Sequence, residues 1–195
     1  MIICTPAKSY YENQEIWVKI EEKYSRAASG GVGYAKAAGN YAAQFYPTQI
    51  AKDEGFQQII WTDSNNHNRV EEAGTMNLFF KINDTLITSP ISDSILDGVT
   101  RKSVIDLAKS MSINVEERDI TVEELLLAHN SGSLKEIFGT GTAVSVLPIN
   151  GFGFRGKRFS IISDNEKTSS QLKIKLNNIQ YAKTKDFSHW QYKIT

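Results

Sequence analysis

The sequence is poor in the residues that build disulfides and metal centres. Its single cysteine, Cys4, has no second cysteine in the chain to pair with, and its three histidines, His67, His129 and His189, are scattered. This spacing matches no metal-ligand motif, so we predict no metal site. The lack of an internal disulfide favours a reducing, cytoplasmic compartment.

An excess of charge of one sign and long apolar runs are also lacking. Lysine plus arginine and aspartate plus glutamate number 22 each, so no overall field favours nucleic acid or a membrane surface. No apolar stretch is long enough to span a membrane, and residues 1–6 lack the features of a signal peptide. We therefore expect no nucleic-acid or membrane partner. Small neutral or zwitterionic ligands are compatible with this balanced charge.

The chain of 195 residues is predicted to form one large domain. We expect residues 1–14 to form an extended lead-in, residues 15–181 the domain, and residues 182–195 a loose or docked tail. Alternating and turn-bounded patterns predict strands at residues 16–20, 57–62, 69–72, 77–82, 85–88, 114–119, 134–138, 142–149 and 157–162. Helical spacing predicts helices at residues 40–54, 100–111, 121–129 and 169–181.

Together these patterns predict a mixed α/β (α+β) fold, with a twisted, largely antiparallel sheet folded toward a barrel and helices outside it. Residues 139–141 and 151–154, both rich in glycine, are predicted to be turns. Asn40 is predicted to cap the first helix, and Pro47 to kink or break it.

A glycine-rich loop at residues 30–41 is the most plausible place for chemistry. It sets one lysine, Lys36, among glycines and alanines just before a helical pattern. Glycines allow a ligand to approach the backbone closely, and small neighbours leave room for a planar cofactor beside the amine. From this segment alone, a solvated lysine is the more ordinary interpretation.

Three further motifs lie downstream of this loop, at residues 70–77 (VEEAGTMN), 96–101 (LDGVTR) and 138–143 (FGTGTA). In this order and at these separations, the four motifs resemble those of the branched-chain amino-acid aminotransferases, which are pyridoxal-phosphate enzymes of fold type IV. The likeness runs from about Tyr10 to Tyr181, and the combination is far more specific than any single motif. It implies a large domain like that of D-amino-acid aminotransferase, and pyridoxal 5'-phosphate as cofactor.

The resemblance implies that Lys36 is the Schiff-base lysine and that the Tyr41 phenol bonds the ring oxygen of the cofactor. Lysine must lose a proton before it attacks an aldehyde, and a confined site next to a cationic ring would favour the neutral amine. After release, the same lysine can carry the substrate α-proton.

Glu72 is implied to pair with the pyridine nitrogen, which keeps the ring an electron sink. Glu71 is the rival carboxylate. Neighbouring side chains of a strand face opposite sides, so only one of the two can face the cofactor. The family pattern selects Glu72, and we expect Glu71 to be solvated.

The phosphate is expected at the start of the helix that follows Gly98, where unpaired amides and the helix dipole suit an anion. A plain threonine cap is the alternative. By resemblance, the phosphate contacts the Val99 and Thr100 amides and the Thr142 hydroxyl. The Thr142 and Ala143 amides are implied to hold the substrate carboxylate, with Thr75 near it.

Members of this family carry a small N-terminal domain before the segment that corresponds to Tyr10. It supplies a phosphate-binding arginine, and Arg26, Arg69 and Arg101 do not match that position. We therefore expect this chain to correspond to the large domain alone. The missing domain should leave an apolar surface uncovered around the lysine loop and the strand of Ile16 and Val18.

Two functions follow from the resemblance. One is transamination of leucine, isoleucine or valine with 2-oxoglutarate by a homodimer; the other is a catalytically weak cofactor-binding domain that needs a partner chain. D-amino-acid aminotransferases and aminodeoxychorismate lyases share the implied fold and are a further alternative, although the motifs at residues 72–77 and 98–101 favour the branched-chain group.

Overall fold

The computed structural model describes residues 16–162 and 167–192. The predicted lead-in at residues 1–14 lies outside them. The described residues form ten strands: β1 (Trp17–Ile20), β2 (Gln58–Thr62), β3 (Val70–Ala73), β4 (Met76–Ile82), β5 (Thr85–Thr88), β6 (Asn114–Glu117), β7 (Leu134–Gly141), β8 (Ser145–Ile149), β9 (Gly151–Phe154) and β10 (Lys157–Ser160). The α-helices among them are α1 (Ala38–Ala42), α2 (Phe45–Asp53), α3 (Val99–Ser110), α4 (Val122–Asn130) and α5 (Thr168–Gln180).

The strands belong to one sheet in the order β10-β9-β1-β2-β3-β4-β5-β6, with β7 paired to β4 and β8 paired to β7. Among the strands of the described residues, only the pairs β1–β2, β1–β9 and β5–β6 are parallel. Strand β4 is central, because it pairs with β3, β5 and β7. The predicted mixed fold, with a largely antiparallel sheet and outer helices, is confirmed.

Alternation along β4 separates two apolar cores. Leu78 and Phe80 pack in one core together with α4, whereas Phe79 packs in the other core together with α3 and α5. Phe79 also stacks on Phe138 of β7, with 5.1 Å between the ring centroids. Burial of each such side chain stabilises the fold by about 1.5–3 kcal/mol. The sheet is therefore covered on both faces, which fixes the strand ends that carry the motifs.

Two predicted turns are strands instead. Residues 151–154 form β9, which pairs with β1 on one edge and β10 on the other. Strand β7 continues through residues 139–141, and the chain reverses at residues 142–144. At Gly139 an added Cβ would lie 2.7 Å from the Sδ atom of Met76, so this glycine allows close packing rather than a turn.

The predicted helix at residues 40–54 is divided into α1 and α2. Pro47 lies in the first turn of α2, where its missing N–H interrupts no helical hydrogen bond. The helix is broken between Ala42 and Phe45, just before this proline, so the predicted break is present. The predicted capping role of Asn40 is wrong, since this residue lies inside α1. Its Nδ2 atom donates to the Val32 and Ala35 carbonyl oxygens, 2.9 Å from each, and thereby closes the lysine loop.

Part of the expected apolar surface is present. Val32 and Tyr34 of the lysine loop are 57% and 56% exposed. Ile16 and Val18 are buried, contrary to expectation, because β1 lies inside the sheet between β2 and β9.

Residues 182–192 follow α5. A short 3-10 helix spans Ser188–Trp190, and Phe187 and Trp190 pack against the core that contains α3 and α5.

None of the helices in the described ranges has the length and apolar character needed to cross a membrane.

Candidate active site

A cavity of about 420 Å³ lies where the ends of β4 and β7 meet the start of α3. This volume suits a small organic ligand. Six of the predicted site residues line the cavity: Lys36, Thr75, Val99, Thr100, Thr142 and Ala143. The fold thus brings together motifs that are far apart in the sequence.

The lysine loop forms one side of this cavity. Lys36 Nζ donates to Tyr41 Oη over 2.9 Å and lies 5.1 Å from the centroid of the tyrosine ring. Tyr41 contributes to an adjacent groove, which also includes Thr75. Lys36 is exposed, and the confined amine expected from the sequence is not found among the described residues.

Glu72 lies behind the cavity lining rather than in it. Its Oε1 atom forms an ion pair with Arg26 Nε at 2.7 Å, and both side chains are about 4% exposed. Its Oε2 atom accepts from the Leu96 amide over 3.0 Å and from Asn77 Nδ2 over 3.4 Å. Asn77 and Leu96 line the cavity, so Glu72 is one contact away from it.

The surroundings of Glu72 act on its protonation in opposite directions. Burial raises the pKa of this carboxyl to about 7, although the Arg26 charge and the Leu96 amide favour ionisation. The charge of Lys36 also favours ionisation, whereas the neighbouring Glu71 disfavours it. Burial therefore opposes, and the charges of Arg26 and Lys36 favour, the ionised carboxylate that a protonated ring nitrogen would require as its partner.

Glu71 is buried, and the prediction that it is solvated is wrong. It is 3% exposed, and its Oε1 atom accepts from the Ser94 hydroxyl over 2.5 Å. Burial raises the pKa of its carboxyl, although the Ser94 hydrogen bond opposes the shift. Every residue of β3 is buried, because both faces of this strand are covered.

Helix α3 begins at Val99, as predicted, and Gly98 precedes it without a side-chain cap. The first amides of a helix have no partner within the helix, so they are free to bind an anion at the cavity. At Gly98 an added Cβ would lie 2.1 Å from Asn77 Oδ1. Only glycine fits here without moving Asn77, which itself donates to the Leu96 carbonyl over 2.8 Å.

The turn between β7 and β8 carries the last motif. Thr142 and Ala143 are exposed, and the Val144 amide closes the turn by donating to the Gly141 carbonyl over 3.2 Å. Beside the turn, Thr140 Oγ1 is buried and makes no hydrogen bond within the described residues, although Thr140 lines the cavity.

Three contributors were not predicted from the sequence. Asn77 and Thr140 are buried polar residues that lie inside the motifs at residues 70–77 and 138–143, and this position is a signal that could have identified them. Arg26 stands in a short polar stretch, and no local pattern marks it as the partner of Glu72. Within the part of the chain that the structure describes, no group of His, Cys, Asp and Glu side chains could hold a metal ion.

Comparison with known proteins agrees with this geometry. Residues 3–152 match the family described as amino-transferase class IV. The chain is 39% identical over 199 residues to branched-chain-amino-acid transaminase 1 of Bacillus subtilis (strain 168), a match that covers 100% of this chain and 56% of that protein. The chain therefore spans about half the length of the curated relatives it matches.

Solved structures share the fold. The branched-chain amino acid aminotransferase of Escherichia coli superposes with a TM-score of 0.81 at 24% identity, covering 98% of this chain and 60% of that one. The branched-chain amino acid aminotransferase of Thermobaculum terrenum in its PLP-form (holo-form) has a TM-score of 0.77 at 23% identity, covering 92% of this chain and 55% of that one. At these identities the likeness shows the fold alone.

Proposed function

Because the chain belongs to the class IV aminotransferase family, we propose that it binds pyridoxal 5'-phosphate and transfers the amino group of leucine, isoleucine or valine to 2-oxoglutarate. The relative in Bacillus subtilis is named a branched-chain-amino-acid transaminase, and the Thermobaculum terrenum structure of the same fold is a PLP-form. One observation carries the proposal: the Lys36 amine and the uncapped start of α3 line the same cavity, with the Glu72 carboxylate directly behind it.

The residues present fit this cofactor. Glu72 accepts hydrogen bonds from the Leu96 amide and Asn77 Nδ2, and it forms an ion pair with Arg26. A carboxylate has about four acceptor sites, so it retains capacity for one further donor, such as a protonated ring nitrogen. The start of α3 offers unpaired amides of the kind that bind phosphate groups.

Each of these residues then has a defined role in the proposed transamination. The bound cofactor supplies an electron sink that permits loss of the substrate α-proton. Lys36 Nζ holds the cofactor covalently and, once released, accepts and returns that proton. Tyr41 Oη accepts from the Lys36 amine over 2.9 Å, and the Glu72 carboxylate would pair with the ring nitrogen of the cofactor.

Backbone amides and hydroxyls bind the anionic groups. The Val99 and Thr100 amides, with the Thr142 hydroxyl, bind the phosphate. The Thr142 and Ala143 amides would bind the substrate carboxylate near Thr75; that all three residues line the same cavity supports this assignment.

A second function, a cofactor-binding domain with weak turnover that needs a partner chain, is favoured by one observation. Lys36 is exposed, and water around the amine slows chemistry that depends on a neutral lysine.

The exposed apolar side chains of Val32, Tyr34, Phe45 and Tyr46 lie on or follow the lysine loop, and they support the proposal of a homodimer. A cytoplasmic location is proposed on the single cysteine.

The experiment that tests cofactor binding uses the purified chain with pyridoxal phosphate. We expect a visible absorbance band, and after borohydride reduction a label on Lys36 in peptide mass mapping. Lys36→Ala should abolish both, whereas Lys109→Ala, a control at an exposed lysine in the last turn of α3, should leave both unchanged. Label on another lysine, or no label, would overturn the proposal. A labelled chain that does not transaminate leucine would favour the second function.

A further inference from the structure

The connection between β5 and α3 contacts several parts of the site at once. We call residues 92–96 the 92–96 segment. The Asp93 carbonyl accepts from the Tyr34 amide of the lysine loop over 3.0 Å. The Ser94 carbonyl accepts from Arg26 Nη2 over 2.9 Å, and the Leu96 amide donates to Glu72 over 3.0 Å. The position of this segment therefore affects the lysine loop, Arg26 and Glu72 together.

Glu71 is the side chain that holds the segment from β3. The Ser94 hydroxyl donates to Glu71 Oε1 over 2.5 Å, and both residues are 3% exposed. The same serine thus binds Glu71 through its hydroxyl and Arg26 through its carbonyl. Arg26 in turn contacts Glu72 over 2.7 Å, so a continuous chain of contacts joins the two neighbouring glutamates.

Stability alone does not account for a carboxylate at this position. Glu71 Oε2 is buried and makes no hydrogen bond within the described residues, and Arg69 approaches the other oxygen only to 3.9 Å. Burial of an incompletely paired carboxylate opposes folding, and an apolar residue of similar volume would avoid that cost. Burial also raises the pKa of the Glu71 carboxyl, which reflects the same unfavourable environment.

We infer that Glu71 is a positioning residue, which holds Ser94 so that the Ser94 carbonyl orients Arg26 against Glu72. The direction in which Glu72 would meet the ring nitrogen then depends on Glu71, although Glu71 does not line the cavity. This inference rests on the proposed role of Glu72 in cofactor binding.

The test compares Ser94→Ala and Glu71→Leu, which remove the contact, with Glu71→Gln, which keeps an acceptor oxygen for Ser94. The readout is the pH midpoint of the visible absorbance band of the chain loaded with pyridoxal phosphate. We expect Ser94→Ala and Glu71→Leu to move the midpoint by about one pH unit, equal to a tenfold change in the proton equilibrium. Glu71→Gln should restore a midpoint close to that of the unchanged chain.

Glu136 offers a matched control. This carboxylate is 4% exposed and accepts from the Ser169 hydroxyl over 2.6 Å, but its contacts are to the start of α5 and to Lys81 of β4, not to the 92–96 segment. Glu136→Gln should lower the thermal midpoint without moving the absorbance midpoint. If Ser94→Ala and Glu71→Leu behave like this control, the role of Glu71 is structural and the inference is overturned.

A measurement without cofactor separates this inference from the proposed function. If the unchanged chain forms no absorbance band, the proposed function fails and the inference is decided by urea unfolding of the free chain. There, Ser94→Ala and Glu72→Gln should have non-additive effects on the free energy of unfolding, because their contacts meet at Arg26. Strictly additive effects would overturn the inference. If Glu71→Leu does not fold, Ser94→Ala, which removes a single hydroxyl, carries both tests.

Discussion

Glu72 should make the cofactor-free chain less stable as the pH rises toward neutrality. Burial raises the pKa of this carboxyl from its ordinary value of 4.5 to about 7 in the folded chain. Between these two pH values the folded chain retains a proton that the unfolded chain has released. The free energy of unfolding therefore falls as the pH rises through this window, and it levels off above pH 7.

The size of this effect follows from the shift. Each unit of pKa difference corresponds to about 1.4 kcal/mol, so the full window amounts to about 3 kcal/mol. Glu72→Gln cannot titrate, and its neutral amide resembles the protonated carboxyl that the folded chain holds at acidic pH. We therefore expect the variant and the unchanged chain to have similar stability at acidic pH, and the variant to gain about 3 kcal/mol relative to the unchanged chain as the pH rises to neutrality.

Urea unfolding at a series of pH values measures this difference. Asp63→Asn is an opposing control. Burial disfavours ionisation of Asp63, but the backbone amides of Arg69, Asn66 and Asn68 outweigh it and lower the pKa of this carboxyl. The stability that Asp63 contributes is thus lost only as the pH falls through its lowered pKa, with the opposite slope. A difference between the unchanged chain and Glu72→Gln that does not vary with pH would refute the reasoning about Glu72.

Two further outcomes are expected. Gly98→Ala should displace Asn77, an overpacking cost of about 1–3 kcal/mol, and so weaken pyridoxal phosphate binding about tenfold or more. Gly39→Ala is the control and should not weaken binding, because its added Cβ would meet nothing within 4 Å. Equal affinities of the two variants in an absorbance titration would contradict this prediction. The chain as given should transaminate leucine with 2-oxoglutarate slowly or not at all, because Lys36 is exposed to water. The full-length Bacillus subtilis relative assayed in parallel should be much faster, and comparable rates would show that these 195 residues suffice.

Most strands and helices were predictable from the sequence because their signals are local. The alternation around β1, the Asn83-Asp84 turn between β4 and β5, and the spacing of α3 each lie within a few residues. The cap of α4 is also local: Thr121 accepts from the Glu124 amide over 3.0 Å, as the capping-box motif predicts.

Strand β9 could not be recognised in this way, because its glycines allow close packing against residues that are distant in the sequence. A Cβ added at Gly151 would lie 2.3 Å from the Trp17 ring, and one at Gly153 would lie 2.1 Å from the Phe56 ring. These glycines let aromatic rings pack against the strand, whereas in the sequence they indicate a turn. The parallel pairing of β9 with β1 joins segments that are far apart in the sequence, Trp17 with Gly151, and leaves no local trace.

The site also contains residues that local motifs identify and residues whose surroundings depend on distant contacts. The motif residues that line the cavity were identifiable because each motif carries its own short pattern. The environments of Glu71 and Glu72 were not, because they depend on Arg26 and on the 92–96 segment, which come from other parts of the chain. Strand alternation predicts that these two side chains point in opposite directions, but the expectation of a solvated Glu71 also assumes that one face of the strand meets water. In β3 both faces are buried, so the second glutamate must also find a partner inside the protein, and the partner it finds is the serine whose carbonyl orients Arg26.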